Sequence, residues 1–116
     1  YFDTLTGFRI AGIYGRNSVT NYPIQGSAFH CLLWALIRLN KWLRKHKFKT
    51  QIIGQIHDSM LLDAAPNELA DVLAKAKHLL CVELELHWKW LIVPMEIDAE
   101  VSPVGGSWLD KQTITI

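Results

Sequence analysis

The apolar residues of this chain change rhythm several times along its length, and each rhythm predicts an element. In YFDTLTGFRIAGIY, aromatic and β-branched residues stand on either side of Thr6-Gly7, which predicts a β-hairpin turning at that dipeptide. GRNSVTNYP is rich in turn formers and reads as a loop. From Pro23 the spacing becomes three and four: Ile24, Ala28, Cys31, Leu32, Ala35, Leu36, Leu39 and Leu43 make one apolar stripe. That stripe predicts a long helix with Pro23 in its first turn and Asn21 as a nearby cap. Two short strands follow at 51–56 and 60–64, meeting near His57-Asp58. A second helix is expected from Pro66, with Leu69, Val72, Leu73, Ala76, Leu80 and Leu84 on one face. VPMEIDAEVS alternates strictly, Val93, Met95, Ile97, Ala99 and Val101 against Glu96, Asp98 and Glu100, as a half-buried strand does. PVGGSWLDK then reads as a turn and cap with Trp108 as an anchor. The expected fold class is α+β: a small antiparallel sheet containing the 51–64 hairpin, with two long helices packed on one face.

Length and composition narrow this further. With 116 residues, half of them hydrophobic, the chain reads as a single domain over 1–116. Five Trp imply large buried surfaces, or surfaces that another body covers. The net charge is +1, but it is segregated: residues 1–50 carry eight Lys/Arg against Asp3, whereas the rest carries four against ten Asp/Glu. Such a division suits an anionic partner on one side and a cation site on the other, and it equally suits solvated faces. Cys31 and Cys81 sit inside apolar helical patterns, so reduced thiols and an intracellular setting are expected. No segment has the uninterrupted apolar length of a membrane span, so no membrane partner is expected. The chain begins at Tyr1 rather than Met and reads as a piece of something longer.

Several groups could carry chemistry. In TQIIGQIHDSMLLDAA the polar pair His57-Asp58 interrupts an apolar, strand-forming run. Neighbouring residues of a strand face opposite ways, so His57, Asp58 and Ser59 cannot form a hydrolytic triad among themselves. At a hairpin tip both groups can be presented together. A carboxylate held there is a good Mg²⁺ ligand, since Mg²⁺ takes few protein oxygens and keeps waters and phosphates. The plain alternative is that Asp58 is a turn residue, and one carboxylate is not a complete two-metal site. Asn21 and Gln25 flank a helix start, where they could meet phosphate or the minor-groove edges of base pairs; helix capping by Asn21 is the plainer reading. KWLRKHKFK, with Lys41 and Lys45, could follow a phosphate backbone or simply complement the helix dipole. A zinc site from His78, Cys81 and His87 has no recognised spacing.

Together, NYPIQGSAF, an amphipathic helix ending WLRKH, QIHDSMLLDAAPNELADVL and VPMEIDAEVSPVGGSWLDK resemble the C-terminal end of family A, DNA polymerase I-like, DNA polymerases. TLTGFR near the start resembles the hairpin that precedes these segments, and the flavour is closer to bacteriophage enzymes than to the cellular repair enzyme. The resemblance covers nearly the whole chain and implies the C-terminal part of a polymerase palm. It implies that Asp58 is the metal-binding aspartate of motif C and that His57 lies close to the primer terminus. It also implies that Asn21 and Gln25 contact primer–template DNA from the minor groove, with Arg16, Lys41 and Lys45 as further DNA-binding positions. The implied reaction is template-directed nucleotidyl transfer from a dNTP with two Mg²⁺ ions, one activating the primer 3′-hydroxyl and one steadying the triphosphate and the leaving pyrophosphate. The implied setting is the cytoplasm of a bacterial cell, for a phage-encoded enzyme.

Two departures qualify the match. Family members usually read HDE where this chain has His57-Asp58-Ser59. Motif A with the second catalytic aspartate, and the fingers helix that grips the nucleotide, are not in the chain. By itself it is expected not to polymerise but to work with the remainder of the polymerase. A non-catalytic palm remnant that only binds nucleic acid, or a purely structural fragment, is the alternative.

Overall fold

A computed structural model describes residues 1–116. Its elements are β1 (Phe2–Asp3), β2 (Arg9–Ile10), α1 (Arg16–Lys45), β3 (Gln51–Ile56), β4 (Ser59–Asp63), α2 (Leu69–His78), a π-helical turn (Leu79–Glu83), α3 (Leu84–His87), β5 (Ala99–Val101), a 3₁₀ turn (Trp108–Asp110) and β6 (Gln112–Ile114). The class is α+β, as expected. The strands form three separate antiparallel ribbons, β1-β2, β3-β4 and β5-β6, rather than one sheet.

α1 is the spine. It starts at Arg16, not at Pro23, so the expected loop GRNSVTNYP is largely its first two turns, and Gly15 rather than Asn21 is the N-cap. Pro23 removes one backbone hydrogen bond without ending the helix. Thr20 Oγ1 donates to the Arg16 and Asn17 carbonyls at 3.3 and 2.9 Å, and Tyr22 packs edge-on against Tyr14, which together hold the early turns. The core lies along the C-terminal half of α1, where Leu32, Ala35, Leu39 and Leu43 meet Val72, Ala76, Leu79 and Leu80. Ile52, Met60 and Leu62 of the β3-β4 hairpin pack against this cluster. The expected stripe therefore splits: Ile24 and Ala28 are exposed, and Ser27 is buried in their neighbourhood.

The π-helical turn has a packing cause. In a regular α-helix running on from Val72 and Ala76, Glu83 rather than Leu84 would face the core; one extra residue per turn rotates the following segment by about 100°. Leu84 is accordingly fully buried, and Glu83 is left at the rim to pair with Lys75 at 3.0 Å.

The long strand expected over 93–101 reduces to β5. Burial still alternates, with Met95, Ile97, Ala99 and Val101 half-buried and Glu96, Asp98 and Glu100 exposed, but only 99–101 find a hydrogen-bonded partner, β6. Trp108 is not a buried anchor: it is 58% exposed, with the Lys111 ammonium 4.1 Å over its ring. The other four tryptophans are half-buried. Only 13 of 116 residues are buried, and Ile13, Ile24, Phe29 and Ile37 on or beside α1 face outward.

The β1-β2 hairpin is fastened to α1 by polar groups. Thr6 Oγ1 lies 2.6 Å from His30 Nδ1, the Leu5 amide donates to Ser27 Oγ at 3.0 Å, and Phe8 stacks on the His30 ring. Burial pushes the His30 imidazole below its ordinary pKa. Gly26 permits this closeness, since a Cβ there would sit 3.1 Å from Thr4 Cγ2.

Candidate functional site

β3 and β4 pair Gln51↔Asp63, Ile52↔Leu62, Gly54↔Leu61, Gln55↔Met60 and Ile56↔Ser59, with a bulge at Ile53. The pairing leaves His57 and Asp58 as the whole of a two-residue loop. His57 takes φ +53°, a left-handed conformation uncommon outside Gly, Asn, Asp and His. Ser59 Oγ donates to the Ile56 carbonyl at 2.8 Å and closes the turn from within. Both His57 and Asp58 are exposed. The Asp58 carboxylate takes part in none of the chain's ion pairs, so its oxygens face outward uncommitted.

The root of the hairpin is rigid. Glu68 accepts hydrogen bonds from the Lys49 amide (3.0 Å), the Thr50 amide (2.9 Å) and Thr50 Oγ1 (2.7 Å), and the Ala65 amide donates to Thr50 Oγ1 at 3.1 Å. These bonds, the Lys49 amide first, hold the Glu68 carboxyl below the usual glutamate range. A fixed root and an apolar face seated on α1 leave the tip as the free end of a stiff lever.

Asn21 and Gln25 are exposed on the N-terminal half of α1. At 3.6 residues per turn Asn21 lies within about 10° and Gln25 within about 35° of the mean direction of Leu32, Ala35, Leu39 and Leu43. They continue the face on which the β3-β4 hairpin packs, in the half of the helix that the core leaves uncovered. Lys41 and Lys45 are exposed on a different side, about 160° around the axis from the amides and about 30 Å along it. Arg16 occupies the first turn of α1, where neither an acidic residue nor a side-chain cap covers the amides.

No group of three or more His, Cys, Asp and Glu side chains is placed to hold a metal ion within the chain. Asp58 has the donor chemistry that Mg²⁺ takes, an exposed carboxylate outside the chain's ion pairs, and it offers one ligand. Ser59, bonded inward, adds no carboxylate. Cys31 and Cys81 are free thiols, both pushed up in pKa by burial.

One residue next to the tip escaped the sequence reading. Gln55 Nε2 is buried without a hydrogen-bond partner. The signal was a long amide inside an apolar strand, two positions before His57.

Comparison with known proteins shows the family. The family model described as DNA polymerase family A matches residues 12–110. The chain belongs to that family. The DNA polymerase of Bacillus phage SP01 is 40% identical over 60 residues, 52% of this chain and 6% of that protein. DNA polymerase I of Lactococcus lactis subsp. cremoris is 33% identical over 105 residues, 90% of this chain and 11% of that protein. DNA polymerase I of Bacillus subtilis is 31% identical over 99 residues, 85% of this chain and 10% of that protein. The chain thus spans 11% or less of these relatives. No solved structure matches it. No helix is long and apolar enough to cross a membrane.

Proposed function

We propose that this chain supplies the motif C carboxylate and the primer–template contacts of a DNA-directed DNA polymerase, for template-directed nucleotidyl transfer. The observation that carries the reading is the placement of His57-Asp58 as the entire loop of a hairpin anchored on the polymerase-family helix α1.

Asp58 offers its carboxylate to Mg²⁺ at the tip, and a carboxylate from the motif A portion of the palm, outside this chain, completes the site. Mg²⁺ held by these two carboxylates would supply Lewis-acid chemistry, a lowered pKa for the primer 3′-hydroxyl and charge neutralisation on the triphosphate. His57, fixed by its left-handed backbone beside Asp58, presents its ring to the primer terminus. Asn21 and Gln25 donate their side-chain N–H groups to minor-groove acceptors, which occupy similar positions in all four base pairs and so report pairing geometry rather than sequence. Arg16, at the uncapped helix start, and Lys41 and Lys45 hold backbone phosphates. The dNTP enters against the fingers, and the enzyme works in the cytoplasm of a bacterial cell.

Primer extension in Mg²⁺ tests this, with the chain combined with the upstream polymerase portion and wild type beside Asp58→Ala. Loss of extension by orders of magnitude in the variant supports the assignment; equal extension reduces Asp58 to a turn residue. Ser59 in place of the usual Glu favours a second reading, a palm remnant that retains primer–template without catalysis. In that case wild type shifts DNA in a gel yet extends nothing with its upstream part present.

A further inference from the structure

At its C-terminal end α1 turns a basic face outward. Arg38, Lys41 and Lys45 line a groove of ≈ 220 Å³ between α1 and the π-helical turn, together with Trp42, His46 and Lys75. Its one acidic lining residue, Glu83, is occupied by Lys75 Nζ at 3.0 Å and His78 Nε2 at 3.3 Å. Arg38, Lys41 and Lys45 take part in no ion pair, the Arg38 guanidinium lying 4.2 Å over the Trp34 ring. The Trp42 and His46 rings lie 5.1 Å apart, and Trp42 meets Phe48 edge-on at 4.7 Å, which fixes an aromatic wall among the cations.

Cations that follow a backbone and rings that receive base faces are the make-up of grooves for unpaired nucleic acid. A duplex seated on Asn21 and Gln25 lies on another side of α1, about 160° around and about 30 Å away, so it does not run straight into this groove. We propose that the groove binds an unpaired stretch of DNA away from the primer terminus. The proposal rests on the reading of the chain as a DNA-handling part of a polymerase. It deepens the role given there to Lys41 and Lys45: the strand they hold is single and is contacted through its bases as well as its phosphates.

The test is fluorescence anisotropy of a labelled twelve-nucleotide oligo-dT (about 12 phosphates, spanning more than one contact site) titrated with the full chain. Wild type is compared with Lys41→Gln/Lys45→Gln and with Trp42→Phe, each checked for native circular dichroism. The double variant is expected to bind at least about tenfold more weakly at low salt, with the slope of log K on log salt reduced by about 0.7 per lost contact. Trp42→Phe is expected to weaken binding less and to leave that slope unchanged, because no charge is removed. Wild-type affinity and slope in the double variant would overturn the proposal. So would equal competition by duplex of the same length or by free tripolyphosphate, since the groove would then take phosphate without regard to the strand. Extension by Asp58→Ala is read in a separate assay, so this proposal and the polymerase reading can fail independently.

Discussion

Thr50→Val removes one oxygen from the root of the hairpin that carries His57 and Asp58. Thr50 is 3% exposed, and its hydroxyl both donates to Glu68 Oε2 at 2.7 Å and accepts from the Ala65 amide at 3.1 Å. Val keeps the shape and the β-branch, so cavity terms are small, but it leaves the Ala65 N–H unpaired. The unpaired Ala65 N–H alone costs about 1.5 kcal/mol, while water takes over at the Glu68 carboxylate. For a chain of this size that lowers Tm by roughly 7 °C. Urea denaturation followed by tryptophan fluorescence reads the change directly.

The same variant carries a pH signature. Glu68 is held below its usual range in the folded chain, so the unfolded chain takes up that proton first as pH falls. The stabilisation is complete above the ordinary glutamate pKa and is lost as pH drops through the folded value. Thr50→Val removes part of the cause, so the stability gap between wild type and variant should narrow as pH falls below the ordinary glutamate pKa, about 4.3. Asp3, held down by its hydrogen bond to Arg9, and Asp110, held down by the Ser107 amide, titrate alike in both proteins and cancel in the difference. A gap under about 0.5 kcal/mol, the size of an ordinary surface substitution, or one that does not change with pH, would refute the account of the root.

Two further outcomes follow from named positions. Leu39→Ala, at a fully buried site in the α1 core, should cost about 2–5 kcal/mol in urea denaturation; a cost below about 1 kcal/mol would mean that α1 does not pack against α2 as described. His57→Gly relieves a left-handed backbone at a site without packing, so stability should be unchanged or higher by up to about 1 kcal/mol. A loss of polymerase function in that variant would then belong to the ring, whereas a marked loss of stability would show that the ring holds the turn.

Much of this was legible in the residues because local rules and packing agree. The β3-β4 hairpin and its two-residue tip follow from an apolar run broken by His57-Asp58, and β1-β2 from Thr6-Gly7 between strand formers. The early turns of α1 were hidden by Pro23, which marks a helix start in sequence but here sits inside a helix held by Thr20 and by Tyr14 against Tyr22. The alternation over 93–101 reports burial faithfully, yet a strand also needs a partner edge, and only β6 supplies one. The polar layout depended most on three dimensions. Helical spacing puts Asn21 and Gln25 on the face carrying the hairpin, and Lys41 and Lys45 on another side, only once α1 is known to run unbroken from Arg16 through Pro23. Where the core stops along that face is set by packing, not by spacing. Likewise the exposed Ile13, Ile24 and Phe29 are consistent with the five Trp and the high apolar content: surface that another part of a polymerase would cover.

A metal ligand differs from a merely necessary residue in its response to the metal supplied, and exchanging the Asp58 oxygens for sulfur separates the two. Asp58→Cys, with the upstream polymerase portion supplied, should lose primer extension in Mg²⁺, which binds thiolate poorly, and recover a measurable part of it in Mn²⁺ or Cd²⁺, which accept the softer donor. Asp58→Ala, run beside it, should recover nothing in any of the three metals. Equal behaviour of Asp58→Cys and wild type in Mg²⁺ would contradict the assignment, as would rescue of Asp58→Ala to the same degree.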